Sequence, residues 1–375
     1  MRINFVSNLP LSEISGGFSA MNAAAYEAMS EIAEVNYVGP VHPRVDWSSK
    51  VFSKVLRASG GKGSFSFFSE NRLKRIAHEV DSASPREAEF DFFHGFTPWV
   101  RCQTTRPYLA WSDCCFRDYI DIFHNPQAFS SSDIDRICHA EAQWLANARG
   151  VFLSSEWANM RVHHHYGISQ SRLRSVGIFG AMDSIHKDVY KDGKDFLFVS
   201  TDYQRKNGHL CREAMDIVWE TFPDARLKII GDAPPSSDLV TNRVLYEGYL
   251  DKSNPQELRR LRDLFSTAFA LVHPTDADIT PLILVEAALF GCPAITVDDF
   301  AVPEVTGAGT SALLLKRPLT PKLLASAMLG LLGDRDRYLE MRKQCRSYSV
   351  ENHSRKKFKK RLQEAVLDAA KACQG

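Results

Sequence analysis

Asp278 and Glu286 are eight residues apart, on either side of the start of a strongly apolar segment, Leu282-Ile283-Leu284-Val285-Glu286-Ala287-Ala288-Leu289. Two carboxylates so placed could accept hydrogen bonds from the hydroxyls of a polar ligand. Thr280 has a suitable N-cap side chain, and Pro281 suits the first helical position, where its missing N–H costs nothing. The spacing therefore predicts a helix from about Pro281, with the amides of Leu282 and Ile283 and the positive end of its dipole available to an anion such as phosphate. An ionised Glu286 on that apolar segment costs several kcal/mol if buried without partners, so it needs an explanation. The competing reading is a solvated glutamate favoured by the helix dipole.

The elements around these residues alternate short apolar runs with amphipathic stretches, the pattern of parallel strands covered by helices. In the first half the strands are expected at Ile3–Val6, Val35–Val38, Asp91–His94, Tyr108–Trp111 and Val151–Ser154. Helices are expected where Met21, Ala24, Ala25, Ala28, Met29 and Ile32, and then Ile134, Ile137, Cys138, Trp144 and Leu145, share a face. Periodicity weakens over Val176–Lys194, and the rhythm then restarts with strands at Phe196–Ser200, Leu227–Ile230, Ala268–Val272 and Ala294–Val297. Two doubly wound units imply a cleft, and ligands of such sheets bind beyond the carboxyl ends of the strands.

Length and charge agree. The 375 residues suffice for two domains, and 46 basic against 45 acidic residues leave a net charge of +1, which argues against wholesale nucleic-acid binding. The eight cysteines are scattered without a CxxC pair, as expected in a reducing compartment. No signal peptide and no run of about 18 apolar residues is apparent, so a soluble cytoplasmic protein is expected.

An acidic residue, seven positions, then Glu286-Ala287, followed by Gly291-Cys292-Pro293 and a strand, resembles the signature of the retaining family 4 glycosyltransferases, glycosyl transferases group 1. The resemblance extends to Phe198-Val199-Ser200 with Arg205-Lys206-Asn207-Gly208, to Ala225–Asp232, to Val244–Leu250 and to Pro303-Glu304-Val305. In the first half, Gly16-Gly17, Ser154–Ala158 and Tyr166-Gly167 also fit. The resemblance implies an α/β GT-B fold, two Rossmann-like domains facing across a cleft, with an acceptor-side domain at 1–180, a nucleotide-sugar domain at 181–350 and a C-terminal helix at 351–375 packing back on the first.

The same resemblance implies a retaining transfer of a hexose from a UDP- or GDP-sugar to a glycan or lipid-linked acceptor, in cell-surface polysaccharide or glycoconjugate synthesis, with no cofactor and no metal. Glu286 would accept from the ribose and Asp278 from the sugar; Arg205 and Lys206, with the Leu282 and Ile283 amides, would neutralise the diphosphate. Tyr246, Glu247 and Gly248 would edge the base, and Gly16-Gly17 would let the first loop approach the phosphates. Asp113 stands where the family has a histidine that touches the sugar, and His94 and His273 are further candidates at strand ends.

Besides Asp113, this chain departs from the family pattern in three places. Asp278 replaces the usual glutamate, Ile279-Thr280-Pro281 replaces Gly-Phe-Gly, and Ser200-Thr201 lacks the usual Gly-Arg. A non-catalytic nucleotide-sugar-binding subunit is thus an alternative. A dinucleotide-dependent oxidoreductase is a weaker one, because no Gly-x-Gly-x-x-Gly turn follows a first strand. His163-His164-His165 reads as a polar run facing solvent, since no acid or cysteine cluster matches it in the sequence. Phe358, Leu362, Ala365, Val366 and Ala369 form an apolar stripe opposite basic residues in the tail. Packing against the first domain is expected, with peripheral attraction to an anionic membrane at its inner face as the second reading.

Overall fold

The computed structural model describes residues 1–11, 17–45, 61–185, 187–239 and 241–371; Gly16 lies outside them. The chain divides into two compact units, one built from the start of the chain, Phe18–Gly177 and the chain from Phe358 onward, the other from Ile178–Lys357 together with Gly17.

In the first unit the order is β1 (Arg2–Val6), α1 (Phe18–Ser30), β2 (Glu34–Val38), α2 (Glu70–Ala83), β3 (Phe90–His94), β4 (Tyr108–Ser112), α3 (Phe116–Phe123), α4 (Ser131–Asn147), β5 (Gly150–Leu153), α5 (Glu156–Tyr166) and β6 (Leu173–Ser175). The strands form one parallel sheet in the order β2-β1-β3-β4-β5-β6. Ile32 of the expected first helix lies beyond α1, and β6 is a short edge strand whose Leu173-Arg174-Ser175 has no readable alternation.

The second unit runs β7 (Asp195–Ser200), α6 (Gly208–Thr221), β8 (Arg226–Gly231), β9 (Val244–Gly248), α7 (Pro255–Thr267), β10 (Ala270–His273), α8 (Leu282–Leu289), β11 (Ala294–Val297), α9 (Val302–Val305), β12 (Ala312–Leu315), α10 (Pro321–Leu332) and α11 (Arg335–Asn352). Its parallel sheet is ordered β12-β11-β10-β7-β8-β9. Side chains alternate across it: Phe196, Phe198 and Ile229 pack with α6 and α10, whereas Leu197, Ile230 and Leu271 pack with α7 and α8. Both faces are therefore covered, which is why these strands read as continuous apolar runs.

The strand order reverses between β7 and β10. The chain winds from β7 out to β8 and β9, then returns to the other side of β7 with β10. The loops leaving the carboxyl ends of β7 and β10 are thereby neighbours, with no intervening crossover helix between them. The first sheet reverses in the same way between β1 and β3.

The final helix, α12 (Arg355–Lys371), buries Phe358, Leu362 and Val366. Phe358 packs on Trp111, and Lys359 donates to Glu27 and Glu31 of α1. The apolar stripe is thus covered by the first unit, while Lys356, Lys357 and Lys360 remain exposed. Among the described residues no helix is long and apolar enough to cross a membrane, and the seven cysteines are free thiols. Phe358→Ala should destabilise the first unit by about 3–5 kcal/mol in urea unfolding followed by tryptophan fluorescence.

Candidate functional site

The reversal between β7 and β10 brings together the residues that the sequence singles out. After β7, Ser200 and Asp202 fix a tight turn: the Asp202 amide donates to Ser200 Oγ at 2.9 Å, and Asp202 accepts from the Arg205 amide and from Arg205 Nε, both at 3.0 Å. The turn closes at Asn207, in the left-handed region at φ +58°, and at Gly208, where a Cβ would stand 2.2 Å from the Tyr203 ring. Asn207 Nδ2 then donates to Pro274 O at 3.0 Å, tying this loop to the one after β10.

Lys206 reaches across to the second loop. Its Nζ donates to Asp278 Oδ2 and to Ala277 O, both at 2.6 Å. His273 Nε2 is 3.2 Å from the same Asp278 oxygen, and the His273 carbonyl accepts from Thr296 Oγ1 of β11 at 2.9 Å. Burial alone would raise the Asp278 pKa, but the His273 hydrogen bond and the Lys206 charge outweigh it and hold the carboxyl below its ordinary value. His273 is almost fully buried, and its Nδ1 has no hydrogen-bond partner among the described residues. Arg317, not anticipated from the sequence, clamps the loop by donating to Asp276 Oδ1 at 2.7 Å, Thr275 O at 2.8 Å and Asp299 Oδ2 at 3.1 Å.

The helix after this loop begins one residue later than expected. Pro281, with extended ψ, occupies the cap position, α8 starts at Leu282, and Thr280 makes no capping bond. A proline fixed near φ −65° can precede a helix as well as begin it, and it has no side-chain acceptor to offer. The Leu284 amide turns back onto Pro281 O at 3.1 Å, so Leu282 and Ile283 carry the first amides without an intrahelical acceptor.

Glu286 is 1% exposed, so the solvated reading does not hold. Both carboxylate oxygens lie 2.6 Å from Lys252 Nζ. Lys252 is a residue the sequence reading missed. It sits in the loop between β9 and α7, and the one available signal was the need of a buried glutamate for a cation. From below, Ser349 Oγ of α11 donates to the Val285 carbonyl at 3.2 Å.

Beside this pair lie the ends of β8 and β9. Gly231, at φ +110°, lets β8 approach β7 so closely that a Cβ would stand 2.0 Å from Ser200 O. Tyr246 is exposed and its hydroxyl donates to Gly231 O at 3.0 Å; Glu247 pairs with Arg260, and Gly248 is at φ +80° with open space around it.

Gly17, just before α1, has φ +72° and open space where a side chain would be, and in the first unit Asp113 is half-buried after β4. His94 is enclosed by Phe18 at 4.6 Å and Trp111 at 4.7 Å between ring centroids and fully buried, and neither ring nitrogen is hydrogen-bonded among the described residues. Desolvation pushes its pKa down to about 3, and it presents no surface to a ligand.

Residues 183–351 match the family described as Glycosyl transferases group 1. No curated protein matches the chain. Among solved structures, sucrose-phosphate synthase from Thermosynechococcus elongatus superposes with a TM-score of 0.70 at 14% identity, over 100% of both chains. HepE of Anabaena, solved in complex with UDP, gives 0.68 at 12% identity over 98% of this chain and 100% of its own. WaaG, a glycosyltransferase involved in lipopolysaccharide biosynthesis, gives 0.63 at 12% identity over 97% of this chain and 99% of its own. Two doubly wound parallel sheets in one chain define the GT-B class of glycosyltransferase folds. The chain has that fold, and the match to the glycosyl transferases group 1 family lies within its second unit.

Two outcomes follow. Lys252→Met strands a buried carboxylate and should destabilise the second unit by about 3–5 kcal/mol at neutral pH, with much of the loss recovered in Lys252→Met/Glu286→Leu, as read by denaturant unfolding. His94 is neutral when folded but protonates below about pH 6.5 when unfolded, so its contribution to stability is complete above that pH and falls, by up to about 1.4 kcal/mol per unit, as pH drops towards 3. A pH series of urea melts should show that loss in the wild type and a flatter dependence in His94→Phe.

Proposed function

We propose that this protein transfers a hexose from a nucleotide-diphosphosugar to a glycan or lipid-linked acceptor with retention of configuration. The observation that carries the reading is the buried Glu286 in the second turn of α8, with Asp278 in the loop before it at the sheet's reversal, in a region that matches the glycosyl transferases group 1 family. In this reading the ribose hydroxyls donate to Glu286 and the sugar hydroxyls to Asp278. Arg205, Lys206 and the Leu282 and Ile283 amides face the diphosphate. Charge develops on the leaving phosphate oxygen as the glycosidic bond breaks, and each preorganised donor there contributes about 3–4 kcal/mol once water is excluded. The departing phosphate takes up the acceptor's proton on the same face, so no protein nucleophile is required. Asp113 is assigned to the sugar and Gly17 to the phosphates. The exposed Lys356, Lys357 and Lys360 of α12 support a charge-driven contact with anionic lipid, at about 1 kcal/mol per residue.

Lys252 and Lys206 each hold an acid that the donor needs, so donor hydroxyls must displace or share these ammonium groups. That engagement of Lys206, together with Ser200-Thr201 in place of Gly-Arg, favours a binding subunit without turnover as the second reading.

A thermal-shift panel of UDP, GDP, ADP and their hexose conjugates separates these readings. One diphosphate should raise Tm in the wild type, by about 2.7 kcal/mol of stabilisation at 100 times its Kd. Glu286→Gln should lose the shift. Binding with no donor hydrolysis or transfer supports the binding subunit, and no shift with any nucleotide overturns both.

A further inference from the structure

The sequence offers no acid or cysteine cluster near the histidine run 163–165, but the fold supplies one. Cys115 is the cap residue of α3, Asp118 lies in its first turn, and His165 lies in the last turn of α5. One ligand atom from each falls within 4.8 Å of the others. The Cys115 thiol donates to Asp118 Oδ2 at 3.2 Å, and His165 Nε2 is 3.1 Å from Asp118 Oδ1. Cys115 and Asp118 are fully buried, and the His165 side chain is 16% exposed.

We propose that Cys115, Asp118 and His165 form a binding site for a borderline-soft divalent cation of the zinc class, separate from the sugar-nucleotide site. A tetrahedral ion with sulfur at about 2.3 Å and nitrogen or oxygen at about 2.0–2.1 Å separates its ligands by about 3.3–3.6 Å. The 3.2 Å from Cys115 to Asp118 Oδ2 and the 3.1 Å from His165 to Asp118 Oδ1 need a few tenths of an ångström of widening, the thiol and imidazole lie within 4.8 Å of each other, and a small turn of the carboxylate brings one oxygen to the ion. A thiolate, a carboxylate and an imidazole suit zinc better than the hard cations, which prefer oxygen throughout.

In the absence of an ion, a guanidinium balances the cluster's charge. Arg161 Nε donates to Asp118 Oδ1 at 2.7 Å and supplies the positive charge in the present arrangement. Its side chain is about a third exposed on α5 and can swing into solvent, leaving a route for the ion and for a water as fourth ligand. Glu141, also buried, does not compete as a ligand, because Thr97 Oγ1, the Phe116 amide and Tyr166 OH hold its oxygens at 2.6, 2.6 and 2.8 Å. On coordination the Cys115 S–H bond breaks, its electron pair goes to the metal, and the proton leaves to solvent. Affinity therefore rises with pH. The bound ion would pin the start of α3, and with it the turn carrying Asp113, to α5.

The full-length protein, reduced and freed of metal with a chelator, is titrated with Co²⁺ and then Zn²⁺. One equivalent should bind, with a near-ultraviolet thiolate-to-cobalt band that zinc displaces and a rise in Tm. Cys115→Ser should lose the band while Cys114→Ser keeps it, and His165→Gln should weaken binding more than tenfold. Arg161→Ala, which leaves every ligand in place, should bind more tightly. Absence of the band in both the wild type and Arg161→Ala overturns the site, as does binding unchanged in Cys115→Ser and His165→Gln. The latter result would assign the metal to His163 and His164 at the surface.

Discussion

The parallel second sheet reverses its winding between two adjacent strands, and this constraint places two acids where water cannot solvate both. Asp278 leaves β10 and Glu286 sits one and a half turns into α8, on the covered side of the strand ends. Glu286 is buried and Asp278 half-buried, and each has a lysine from a different loop at 2.6 Å. The two ion pairs therefore tie the loop following β7 to the one following β10, and the loop following β9 to α8. The same desolvation that makes them necessary makes each acid a strong acceptor once a ligand's donors replace an ammonium.

The surrounding structure stiffens this arrangement. Arg317 gathers Thr275, Asp276 and Asp299, and Asn207 spans to Pro274, so the β10–α8 loop is held from both sides. Beneath α8, Ser349 of α11 engages Val285, and buried Arg342 of the same helix pairs with Asp188 through both carboxylate oxygens while donating to Ala268 O at 2.9 Å. The last long helix of the second unit thus fixes the helix that presents Glu286. Such support is what lets side chains keep the geometry a ligand needs.

Sequence periodicity reached much of this. Continuous apolar runs such as Phe196–Val199 and Leu227–Ile230 are legible because both faces of the strand are buried, and Glu286 stands out because its neighbours are all apolar. The edge strands β6 and β12 were not legible, since a three- or four-residue strand carries too little alternation. Lys252 and Arg317 were hidden for a different reason: they lie in loops, where partner choice follows from three-dimensional closure and not from spacing. Thr280 has the right chemistry for a cap, but the loop enters the helix through Pro281. Cys115, Asp118 and His165 are up to fifty residues apart in sequence, and only the packing of α3 against α5 joins them.

The central claim is that the two acids at the sheet's reversal receive a sugar nucleotide. A crystal structure of the protein soaked with the nucleoside diphosphate that stabilises it tests this most directly. The account predicts the ribose within hydrogen-bond distance of Glu286, with Lys252 displaced or shared, and the diphosphate between Arg205, Lys206 and the start of α8. A nucleotide bound elsewhere, with Lys252 still on both oxygens of Glu286, would contradict it.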